Sequence, residues 1–181
     1  MNELTSNSRL TPPVGEEDHI AGPPTAAITL VAYCDFECPY CGEAFPLIKQ
    51  LQAQLGENLR YVFRHFPLLD KHPNAEQAAE AAEAAGAQDQ FWAMHDLLFE
   101  NQEALEATDL YAYAESLAID LEQFAEDFSG RRFATRVASN IRSGRRSGVT
   151  GTPTFFINGI SHTNEETLER LALDLRERRA A

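Results

Sequence analysis

At 181 residues with three cysteines, the chain is long enough for one domain with a buried core, and it needs no disulfide framework to hold it. Its net charge of −13 argues against a nucleic-acid partner, because a strongly acidic surface repels phosphate backbones. No apolar run approaches the ~20 residues of a membrane span, and the polar start Met1–Asp18 lacks the basic and apolar parts of a secretory leader. A soluble cytoplasmic protein with no membrane partner is therefore expected.

Residues 1–24 read as a mobile N-terminal arm, since Thr11-Pro12-Pro13 and Gly22-Pro23-Pro24 oppose regular structure. Ala27–Tyr33 is short, apolar and β-branched, which predicts a buried strand. A helix is predicted from Pro39 to about Leu55, with Ala44, Leu47, Ile48, Leu51 and Leu55 on one face and Pro46 inside it. Gly56 stops that helix. Asn58–Phe66 alternates as a second strand before Pro67.

The stretch from Asp70 to Asp127 holds 15 acids and one base, so essentially all the net negative charge lies in one segment. It reads as helical throughout, over Pro73–Ala87, Gln90–Asn101, Asp109–Ala118 and Leu121–Phe128, with its acids on solvated outer faces or on a docking surface for a basic partner. Arg131–Gly144 then sets Phe133, Ala134, Val137 and Ile141 against a face of arginines at 131, 132, 136, 142, 145 and 146. Those guanidinium groups should pair with the acidic segment or face water. Thr154–Ile157 is a strand, Asn158-Gly159 a hairpin turn, and Glu165–Arg178 a closing amphipathic helix. Without the acidic block the order is βαβ, helix, hairpin, helix, which predicts an α/β sandwich on a mixed sheet.

Cys38-Pro39-Tyr40-Cys41 stands where the first strand hands over to the first helix. Cys38 at the N-cap would point its sulfur at unpaired N–H groups and the positive helix end, and Pro39 at the first helical position has no N–H to lose. Cys41, one turn on, could attack a mixed disulfide at Cys38. The Cys38 thiolate should then form well below the free value of ~8.5, with the inward Cys41 titrating higher. Structural zinc also uses a C-x-x-C, but the five histidines offer no second ligand pair at comparable spacing, and His65 and His95 read as packed residues. No metal or cofactor is expected. Gly151-Thr152-Pro153-Thr154 precedes a strand, where Pro153 should take the first strand position or a cis turn.

With Asp35-Phe36-Glu37-Cys38-Pro39-Tyr40-Cys41-Gly42, the runs Arg64–Leu68, Ala81–Gly86, Phe91–Asp96 and Gly151–Gly159 resemble the DsbA-like family over about Val14 to Leu175. The resemblance implies a thioredoxin-like fold in two parts, 25–69 and 129–181, with an inserted helical subdomain over 70–128. It implies thiol–disulfide exchange with disulfide-bearing proteins or small thiols and a separate redox partner; the sequence leaves the oligomeric state open, with a monomer as the default expectation. Cys38 would be the nucleophile and Cys41 the resolving thiol. Pro153 would be the cis-proline with Thr152 beside the sulfur, and Pro39 and Tyr40 would contact substrate.

Pro39-Tyr40 replaces the Pro-His of strongly oxidising relatives, while Asp35 and Glu37 oppose a thiolate nearby. A milder couple is expected, between about −180 and −250 mV, suited to a reductase or isomerase. Two alternatives stand beside this reading. Cys34, Cys38 and Cys41 fit the C-x-x-x-C-x-aromatic-C spacing of radical S-adenosylmethionine enzymes, which hold an iron–sulfur cluster on three thiolates. The chain could also be a client-binding redox sensor without turnover. Cys34 is otherwise a small buried residue at a strand end, or a third redox thiol.

Overall fold

A computed structural model describes residues 8–162. The elements run β1 (His19–Ala21), β2 (Ile28–Cys34), α1 (Pro39–Leu55), β3 (Leu59–His65), α2 (Ala75–Gly86), α3 (Phe91–Glu100), α4 (Ala107–Ser116), α5 (Leu121–Ser129), α6 (Ala134–Arg146), β4 (Thr154–Ile157) and β5 (Ile160–His162). One mixed sheet has the order β1-β3-β2-β4-β5. Parallel β2 and β3 form its centre, joined through α1, and the other pairings are antiparallel. This is a thioredoxin-like α/β fold. The helix expected over 165–178 lies outside the described residues.

The centre of the sheet is buried on both faces, which is why β2 is a continuous apolar run. Leu30, Ala32 and Cys34 face the core beneath α1, α2 and α3, while Val31 and Tyr33 pack with Val62, Phe66 and Phe156 on the other side. α1 buries Ala44, Ile48, Leu51 and Leu55 and carries Pro46 in its interior. The β4–β5 hairpin turns through Asn158 (φ 49°) and Gly159 (φ 82°), the left-handed pair that an Asn-Gly turn favours.

The N-terminal segment departs from the reading of it as a mobile arm. His19–Ala21 pairs antiparallel with Tyr61–Phe63, and Arg64, itself buried, fastens the preceding residues. Its guanidinium meets Asp18 at 2.7 and 2.8 Å, the carbonyls of Pro12 and Pro13 at 3.1 and 3.2 Å, and Tyr33 Oη at 2.9 Å. Prolines lacking donors still offer carbonyls, and a buried arginine needs acceptors.

The acidic helices α2 to α5 lie between β3 and α6 in the chain. Their acids are not all solvated. Glu80, Glu83 and Asp127 are buried, and arginines near α6 reach them: Arg131 to Glu80 at 2.6 Å, Arg132 to Asp127 at 2.8 Å, Arg136 to Glu83 at 2.8 Å. The arginine face therefore pairs with the acidic segment at three of its six positions. α6 meets the sheet at Gly144, where an added Cβ would lie 2.7 Å from two ring carbons of Phe66 and 3.1 Å from Tyr33. Gly144→Ala is expected to lower stability by about 1–3 kcal/mol, the usual penalty for overpacking. Urea unfolding reads it; an unchanged midpoint would mean that the Phe66 ring moves aside freely.

Candidate active site

The parallel β2 delivers its C-terminal end to a turn, Asp35–Cys38, that becomes the N-terminus of α1. Cys38 is the N-cap, with extended backbone (φ −74°, ψ 120°) and Pro39 at the first helical position. Its carbonyl accepts from Cys41 N–H at 3.0 Å and Gly42 N–H at 3.1 Å, the first bonds of the helix. Cys38 and Cys41 are buried free thiols, while Pro39 and Tyr40 are exposed, Tyr40 by 61%.

The loop before β4 faces this turn. The Cys38 thiol donates to Thr152 O at 3.4 Å, and the Thr152–Pro153 bond is cis. Thr152 Oγ1 is buried without a hydrogen-bond partner among the described residues. The structure thus brings the Cys38 sulfur to Thr152, the residue before Pro153, joining two parts of the chain that are more than a hundred residues apart, while Pro39 and Tyr40 follow Cys38 on the exposed first turn of α1.

The acidity of Cys38 differs from the sequence expectation. The neighbouring Cys41 thiol and burial together push Cys38 well above an ordinary thiol, outweighing the influence of Thr152 and the Cys41 backbone that favours the thiolate. Burial likewise pushes Cys41 up, with the Cys34 thiol hydrogen-bonded to it adding to the effect. Helix position alone does not make a thiolate when the helix end is covered and its neighbour is another thiol.

Asp35 and Glu37 act chiefly as acceptors for the backbone. The Asp35 carboxylate is buried and takes Glu37 N–H at 2.8 Å, Leu68 N–H at 2.8 Å and His72 Nδ1 at 2.7 Å. Glu37 takes Asn74 N–H at 2.7 Å. The cysteine turn is thus strapped to the segment leading into α2. A further contact comes from Gln102, which donates to the carbonyls of Phe36 and Cys38. Nothing in the sequence singles out Gln102. Beneath the turn, Phe36 packs on Phe63 and Phe99 with ring centres 5.2 and 4.9 Å apart, and His95 lies edge-on to Phe63 at 4.8 Å.

One cluster could hold a metal by position. His19, His65 and Glu83 present ligand atoms within 4.8 Å of one another, a grouping that sequence spacing does not reveal. Both imidazoles bring Nε2 to Glu83 Oε1, at 2.9 and 2.8 Å, and Arg136 Nε takes Oε2 at 2.8 Å. The carboxylate is already neutralised by Arg136 and saturated with donors. A divalent ion would add charge that no further anion in the cluster compensates, so the group fits a hydrogen-bonded lock better than a metal centre.

A family model described as thioredoxin matches residues 15–174. The oxidised BdbD of Bacillus subtilis superposes with a TM-score of 0.80 at 22% identity, covering 94% of this chain and 96% of that one. A thioredoxin-like oxidoreductase from Silicibacter pomeroyi gives 0.75 at 27% identity, covering 92% and 95%. In sequence, the Na(+)/H(+) antiporter NhaA 1 of Salinispora arenicola is 50% identical over 157 residues, which make up 87% of this chain but 24% of that protein. The chain spans about a quarter of the length of the curated relatives it matches. The family and the sheet both run against the iron–sulfur reading of the three cysteines.

Proposed function

The chain belongs to the thioredoxin family, in the DsbA-like form whose fold is that of thiol–disulfide oxidoreductases, and from that premise we propose that it exchanges a Cys38–Cys41 dithiol with disulfides of proteins or small thiols. The observation that carries the reading is the Cys38 thiol at the head of α1, 3.4 Å from the carbonyl of Thr152. As thiolate, Cys38 attacks one sulfur of a substrate disulfide, forming a mixed disulfide and releasing the first substrate thiolate. Cys41 then gives up its proton and attacks the Cys38 sulfur. That forms Cys38–Cys41 and releases the second substrate thiol, so the substrate gains the two electrons the protein loses. The loop of Thr152 and Pro153 would hold the incoming backbone, and exposed Pro39 and Tyr40 would flank it.

The thiols support one direction of exchange. A strong oxidant has a reduced form stabilised as thiolate, whereas here both thiols are held protonated, which favours a reductase or isomerase. Such a protein would work as a monomer in a reducing compartment such as the cytoplasm, recharged by a separate thiol reductant. The test is the Cys38–Cys41 reduction potential against glutathione, together with insulin reduction. The expected potential lies between about −180 and −250 mV, with turnover that Cys38→Ser abolishes. A potential above about −150 mV would overturn the reductase direction, and binding without turnover would leave a redox sensor.

A second reading concerns the client. Since sequence 41–50% identical to this chain makes up about a quarter of proteins named Na(+)/H(+) antiporters, a transporter of that kind is a candidate partner. A Cys41→Ser variant that captures such a transporter as a mixed disulfide would identify it.

A further inference from the structure

The loop between α3 and α4 sends one side chain into the cysteine turn. Gln102 Nε2 lies 2.8 Å from the carbonyl oxygen of Phe36 and 2.9 Å from that of Cys38. The two hydrogens of a single amide suit two carbonyls. The Cys38 carbonyl thus accepts from Gln102 as well as from the N–H groups of Cys41 and Gly42. The other end of the amide lies over the first turn of α1. A Cβ built on Gly42 would stand 2.0 Å from Gln102 Oε1, and the three atoms nearest to that point all belong to Gln102. The bare glycine leaves the room in which the amide sits.

We propose that Gln102 is a positioning residue for Cys38, and that position 42 is glycine so that this amide can seat. The inference rests on the thiol–disulfide reading of Cys38 and deepens it. By fixing the carbonyls on either side of Glu37, the amide fixes the backbone from which the Cys38 sulfur projects toward Thr152. It also turns one N–H dipole, positive end first, toward the residue that must carry negative charge when it attacks or leaves. The helical insertion thereby supplies a group to the exchange site without touching the sulfur.

The experiment uses the reduced full chain and follows iodoacetamide alkylation of Cys38 by peptide mass spectrometry across pH, beside insulin turnover and thermal melting. Gln102→Glu, nearly isosteric, replaces the donor by a carboxylate oxygen facing two carbonyls. It is expected to slow Cys38 alkylation at neutral pH about tenfold, the change that a one-unit rise in the thiol pKa gives. Gln102→Ala should act in the same direction by a smaller factor. Gly42→Ala should mimic Gln102→Ala, because the methyl group expels the amide. Gly42→Ala/Gln102→Ala should react no more slowly than Gln102→Ala alone.

Two results would overturn the proposal. Melting temperatures that fall while the pH–rate profile of Cys38 stays native would reduce Gln102 to a structural tie. Independent, multiplying effects of Gly42→Ala and Gln102→Ala would remove the seat at Gly42. If instead the profile shifts as expected but the native protein never turns over insulin, the positioning role stands and the exchange reading fails.

Discussion

Cys41→Ser is expected to turn the protein into a trap that keeps its substrates. Cys38 would still attack a disulfide, but the mixed disulfide would face a hydroxyl where the second thiol stood. The internal resolving step draws on the large effective concentration of a group held one helical turn away, so its loss should cut insulin turnover by about a hundredfold or more. Non-reducing electrophoresis of the purified variant should show insulin chains bound through Cys38, and the same variant in cells should carry its clients. Cys34 adds to the upward shift of Cys41 and has no such effect on Cys38. Cys34→Ser/Cys41→Ser should accordingly trap as much as Cys41→Ser. Full turnover in Cys41→Ser would strip Cys41 of the resolving role, and turnover lost only in the double variant would transfer it to Cys34.

Glu83→Ala should be among the most destabilising single changes in the chain, by about 3–5 kcal/mol. The carboxylate is the shared acceptor of His19 on β1, His65 on β3 and Arg136 on α6, and its removal leaves Arg136 without that counter-charge and two imidazoles without their acceptor. Urea unfolding measures the loss; a cost under about 1 kcal/mol, typical of a surface ion pair, would show that water replaces the carboxylate freely.

The same cluster sets an acid response. Burial lowers His19, against the raising effect of Glu83, so the unfolded chain takes a proton that the fold resists, and stability declines as pH falls below ~6.5. Burial alone would raise Glu83, yet hydrogen bonds from His19 and His65 hold it below the usual carboxylate range. Its contribution is therefore complete above ~4.3 and fades as pH drops further. The native midpoint should fall in both ranges, and Glu83→Ala should lose much of the lower one.

The cysteine turn is legible in the sequence because its signals are local. Pro39 marks the helix start, and the apolar run before Cys34 marks the strand that feeds it. The span of α1 is legible from its periodicity and Gly56, although Leu47, expected on the apolar face, is only half-buried, and the hairpin is legible from Asn158-Gly159. β1 is not legible. Three residues flanked by polar and proline-rich sequence show no alternation, and the strand exists because the edge of β3 is there to pair with. The acidity of Cys38 also escapes a local reading, since it depends on how Cys41 and the loop of Thr152 close over the helix end. The Glu83 cluster and Gln102 are invisible for a similar reason. Their partners come from distant stretches of chain, and neither a glutamine in a loop nor a glutamate in an alanine-rich helix carries a pattern.

The straps on the cysteine turn bear on how such a protein can change through evolution or in the hands of an engineer. Asn74 and Gln102 bind the turn at Glu37, Phe36 and Cys38, and His72 and Leu68 bind Asp35 just before the first insertion helix. The helical block is therefore not a detachable module. A chain trimmed from the end of β3 directly to α6 would keep all five strands and both cysteines, yet expose a buried aspartate and two freed carbonyls beside the reacting sulfur. Lengthening the α4–α5 connection disturbs none of these bonds, whereas altering the α3–α4 loop shifts Gln102. Variation among descendants should thus be tolerated at the far side of the block and resisted where it meets the turn.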